Sequence, residues 1–89
     1  MPGWVIAVLT EADGASRRLF FAVGFPDQGQ AEWKALDAAA ADAPVASGPR
    51  GGVEPVQALS VLSDAAMRRR GLLAGEVRAL GEAWPRNWL

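Results

Sequence analysis

Two apolar runs separated by a glycine turn constrain this chain more than any other feature. Residues 4–9, Trp4-Val5-Ile6-Ala7-Val8-Leu9, contain no polar interruption, and residues 19–25 repeat the character with Leu19, Phe20, Phe21, Val23 and Phe25. Between them stands Asp13-Gly14, where glycine accepts a positive φ at no steric cost. Short β-branched and aromatic runs at this spacing predict an antiparallel hairpin covered on both faces, or nearly so.

Pro26-Asp27 ends the second strand. Asp27 is placed to cap a helix and Gln30, three residues on, to complete a capping box. The predicted helix spans residues 28–42, with Trp33, Leu36, Ala40 and Ala43 along its apolar side, and Pro44 stops it. Residues 43–52 hold two prolines and three glycines and read as loop. A third strand is expected within residues 53–62; because Pro55 cannot donate to a ladder, the strand lies at an edge or starts pairing at Val56. Ser63 or Asp64 caps a second helix running to about Arg70, and Gly71 falls where a left-handed terminating residue belongs. Beyond it Leu73, Val77, Leu80 and Trp84 repeat at helical spacing up to Pro85, which predicts a third helix. The expected architecture is a single α+β domain over residues 1–89 in the order ββαβα(α). Its three-stranded mixed or antiparallel sheet has order 2-1-3, with helices packed on one face.

Composition bounds the function. Eighty-nine residues make one domain, which buries only about 60–65% of its unfolded surface. Apolar residues supply 51%, but much of that is alanine, so a partner or second copy is expected to complete a small core. The Ala, Arg and Gly bias resembles that of GC-rich bacterial genomes. A formal charge of −1 argues against a general polyanion binder. No Cys is present for disulfides, thiolate chemistry or zinc, and no His serves as general base or metal ligand. The apolar run at residues 4–9 is too short for a membrane span, and Met1-Pro2-Gly3 offers no charged leader, so a cytoplasmic protein is expected.

Catalytic candidates are few. Thr10, Ser16, Ser47, Ser60 and Ser63 have no His to activate them, and Lys34 sits mid-helix. The pairs Glu76 with Glu82 and Asp37 with Asp42 do not share a helical face. No enzyme activity, cofactor or metal site is expected.

Three features remain as binding candidates. Residues 47–52, Ser47-Gly48-Pro49-Arg50-Gly51-Gly52, combine free backbone amides with the Arg50 guanidinium and could hold an anion or small ligand. Arg68, Arg69 and Arg70 before Gly71, followed by an apolar-patterned segment with Val77 and Leu80, resemble a helix-turn-helix of bacterial DNA-binding regulators over residues 63–80. Met67 and Arg70 depart from that pattern at positions where a small and an apolar residue are usual. The resemblance implies duplex contacts from the arginine triplet and from Arg78, the one side chain of the reading segment suited to a guanine edge. The third feature is the aromatic tail at residues 84–89, where Trp84, Trp88 and Leu89 predict a subunit interface. The leading expectation is therefore a small, non-enzymatic, self-associating interaction domain, most simply a homodimer. A nucleic-acid-binding regulator and an anion binder are the alternatives.

Overall fold

The computed structural model describes residues 2–89. Strands β1 (Gly3–Ala12) and β2 (Ala15–Val23) form the expected hairpin, in register from Trp4 opposite Val23 to Ala12 opposite Ala15. Its two-residue turn places both Asp13 (φ 53°) and Gly14 (φ 75°) at positive φ, which matches the twist of the flanking strands. Helix α1 (Gln28–Ala40) starts where Asp27 Oδ2 accepts the Gln30 N–H at 2.8 Å. Strand β3 (Val56–Leu62) pairs antiparallel with β1 from Val56 onward, as Pro55 requires. Helix α2 (Asp64–Arg70) is capped by Ser63, whose Oγ accepts the Ala66 N–H, and ends at left-handed Gly71.

The sheet has four strands, not three. Residues 77–81, expected to be helical, form strand β4 (Val77–Gly81) antiparallel to β2, and the order is β3-β1-β2-β4. The helical spacing of Val77 and Leu80 misled because Gly75 (φ 80°) and Gly81 (φ 86°) bracket the segment with turns that a helix does not take. Gly24 fixes the approach of this segment: its N–H donates to the Glu76 carbonyl and its carbonyl accepts from Gly75, both at 2.7 Å. A Cβ on Gly24 would lie 2.2 Å from the Leu73 carbonyl oxygen, so only glycine fits.

The helices also occupy opposite faces of the sheet, not one. On the first face, α1 packs Ala31, Ala35 and Ala39 against Ile6, Val8, Phe21 and Val23. The predicted side is only partly in phase: Leu36 packs against this cluster, whereas Trp33 and Ala40 are exposed. Trp33 is 63% exposed, because the face of the helix that meets the sheet is the one carrying Ala31, Ala35 and Ala39. On the second face, Met67 of α2 joins Val5, Ala22, Leu62 and Leu72.

A β-bulge in each edge strand feeds that second face. In β3, Ala58 opposes Ile6 and Ser60 opposes Val5, so Leu59 is the extra residue. In β4, Ala79 opposes Phe21 and Gly81 opposes Phe20, leaving Leu80 extra. Leu59 and Leu80 both pack on the second-face cluster. The β3 bulge also shifts the alternation so that Leu62 reaches this face, directly before the chain enters α2.

Candidate functional site

The second face gathers most of the residues expected to carry function. Arg78 on β4 is its hub. Its Nη1 donates to the Arg70 carbonyl and its Nη2 to the Gly71 carbonyl, both at 2.9 Å, satisfying the end of α2. Its Nε donates to Glu76 Oε2 at 2.9 Å, while Glu76 Oε1 accepts the Leu73 N–H at 2.9 Å. The Leu73 amide first, then the Arg78 guanidinium, hold the Glu76 carboxyl below its ordinary range.

Arg78 and Arg70 also present their guanidinium carbons to the Trp88 ring, at 5.7 and 5.8 Å from its centroid. Trp88 lies in the short 3-10 turn Arg86–Trp88 and packs on the second-face core. Trp84 meets Phe20 edge-on, with centroids 5.6 Å apart and rings at 83°. The tail therefore folds back onto its own sheet. Trp84 stays 55% exposed and Leu89 47% exposed, while Pro85 between the tryptophans is buried.

Arg18, which the sequence reading did not single out, completes the face. Its guanidinium sits 5.5 Å from the Phe20 centroid, and its Nη2 reaches across β1 to Gln57 Oε1 at 2.8 Å. Strand alternation was the available signal, since Arg18 shares a side with Phe20 and Ala22.

The remaining candidates separate. Arg69 borders a groove of about 230 Å³ with Ser60, Asn87, Trp88 and Leu89, whereas Arg68 borders a different depression beside Met67 and Leu72. The helix-turn-helix arrangement is absent, because the second helix that it needs is β4. Arg50 lies far along the chain from the triplet and pairs its Nε with Glu11 Oε1. The glycine loop is a tight turn: Arg50 and Val53 exchange both backbone hydrogen bonds at 2.9 Å, with Gly51 (φ 56°) and Gly52 (φ 80°) between them. The Arg50 charge is thus already matched by a carboxylate.

A second groove, of about 380 Å³, lies on the α1 face at the β4 edge, lined by Leu19, Phe21, Ala38, Asp42, Val77 and Ala79 among others. Three of the five hydroxyls considered as nucleophiles are engaged with backbone: Thr10 with the Arg17 carbonyl, Ser60 with the Val61 carbonyl, and Ser63 in its cap. Among the described residues no three acidic side chains come together as a metal-ligating group, and no helix is long and apolar enough to cross a membrane.

No protein-family model, curated protein or solved structure matches this chain.

Proposed function

We propose that this protein is a small, non-enzymatic interaction domain of the cytoplasm that self-associates as a homodimer through the second face of its sheet. The supporting observation is the half-exposed state of Trp84 and Leu89 beside Trp88. Large apolar side chains grouped on one face are the usual mark of an interface, and tryptophan dominates the energetic centres of such interfaces. The edges favour a face-to-face mode. Both outer strands carry a bulge, which twists an edge away from pairing with a further strand. A two-fold axis would set the same patch against itself.

Light scattering across a concentration series tests the reading. A monomer–dimer equilibrium is expected, and Trp84→Ser should move it toward monomer. A monomer mass that holds up to roughly millimolar, where association contributes only about 4 kcal/mol, would exclude it.

A further inference from the structure

Guanidiniums and aromatic rings follow one another across the second face. The row starts at Arg18, whose guanidinium carbon lies 5.5 Å from the Phe20 centroid, and Phe20 meets Trp84 at 5.6 Å. Trp84 shares a groove of about 320 Å³ with Arg86, Asn87 and Trp88. Asn87 and Trp88 also line the groove of about 230 Å³ that holds Ser60, Arg69 and Arg70. The two grooves therefore adjoin, with Asn87 and Trp88 common to both.

The cations along this row lack carboxylates. Arg17, Arg50 and Arg78 are held in ion pairs with Glu82, Glu11 and Glu76. Among the described residues no carboxylate lies within ion-pair distance of Arg18, Arg69, Arg70 or Arg86, and Arg18 Nε has no hydrogen-bond partner. The formal charge of −1 conceals a segregation. Helix α1 and its two ends carry Asp27, Glu32, Asp37 and Asp42 against Lys34 alone, whereas residues 64–89 carry Arg68, Arg69, Arg70, Arg78 and Arg86 against Asp64, Glu76 and Glu82. Helix α1 packs on the first face, and α2 with the tail on the second.

We propose that the second face binds single-stranded nucleic acid, with phosphates at Arg69, Arg70 and Arg86 and a base stacked on Trp84. Guanidinium forks match phosphate oxygens, and an exposed indole accepts any base. A duplex keeps its bases stacked inside and offers Trp84 nothing, and an acidic peptide meets the arginines without stacking on the ring. Strand binding needs one copy of the face and does not depend on self-association, although both occupants use Trp84.

Fluorescence anisotropy of a labelled oligothymidylate about 12 nucleotides long, titrated with the full-length chain, tests this. Saturable binding is expected at low salt, with affinity falling by about two decades per tenfold rise in salt for three neutralised phosphates. Trp84→Ala should weaken binding about 10-fold and Trp84→Phe much less. Arg69→Gln combined with Arg70→Gln should reduce the salt slope by about 1.4, whereas Lys34→Gln on α1 should change neither slope nor affinity. Circular dichroism checks that each variant is folded, and quenching of tryptophan emission that Trp84→Phe abolishes reads the same contact without truncating the ring. No saturable binding at low salt overturns the proposal, whatever mass scattering gives. Equal affinity for a duplex or an oligoglutamate of the same length also overturns it, because stacking would then play no part. A chain that binds the strand yet stays monomeric at every concentration supports the strand site and overturns self-association alone.

Discussion

The Arg78 guanidinium on β4 closes the carbonyl end of α2, donating to the Arg70 carbonyl at 2.9 Å from a strand eight residues further along the chain. Helix, strand and tail meet at this one side chain, since its other nitrogens hold Gly71 and Glu76 and its guanidinium carbon lies 5.7 Å from the Trp88 ring centroid. A seven-residue helix has little intrinsic stability, so this external cap matters to it.

Arg78→Ala is expected to lower stability by about 1–2 kcal/mol, the range for hydrogen bonds to a charged group reduced by partial exposure. Arg78→Lys should recover little, because an ammonium cannot reproduce the fork that reaches two carbonyls and a carboxylate. Urea denaturation at constant m-value measures both.

Glu76 makes part of the stability pH-dependent. Its folded carboxyl is held below the unfolded value by the Leu73 amide and then by Arg78, so the unfolded chain takes up its proton first as pH falls. The contribution is therefore complete above the unfolded value and is lost as pH drops through the folded one. Glu76→Gln should flatten this acid limb in thermal melts between neutral pH and about pH 3. An unchanged limb would show that Glu76 is not coupled to folding.

Asp27→Ala removes the acceptor for the Gln30 N–H and should cost about 0.5–2 kcal/mol. Asp27→Asn should keep most of that stability, since the amide oxygen can accept the same bond.

The phase of α1 can be checked by opposite substitutions. Ala35→Leu forces a larger side chain between helix and sheet and should destabilise by about 1–3 kcal/mol. Trp33→Ala, on the exposed side, should change monomer stability by no more than about 0.5 kcal/mol. The reverse ranking would place Trp33 in the core.

Features written in local chemistry were legible before the structure. The Asp13-Gly14 turn, the Asp27 and Ser63 caps, the Gly71 terminator and the first paired residue at Val56 each depend on a few neighbouring residues. Strand β4 depends on its pairing with β2, where Val77 meets Val23 across more than half the chain. Val77 and Leu80 fit a helical repeat with Leu73 and Trp84 as well as they fit a bulged strand, and propensity does not separate the two. The site was partly legible for the same reason. Trp84 and Trp88 stand out by residue type, whereas Arg18 and Glu76 acquire roles only when the sheet brings them to Phe20, Gln57 and Arg78.

The bulge at Leu59 works as a change of parity. Upstream of it even-numbered residues of β3 look toward α1, as Val56 and Ala58 do; downstream the odd-numbered Val61 takes that side opposite Trp4. Without the bulge, a single alternation running through the same residues would turn Leu62 away from Met67. The helix that follows would then start on the wrong side of the sheet. Chain length and bulge are therefore linked at this point: with residue 59 present the bulge keeps Leu62 on the α2 side, whereas deleting that residue would leave a regular strand with Val61 and Leu62 on their present sides.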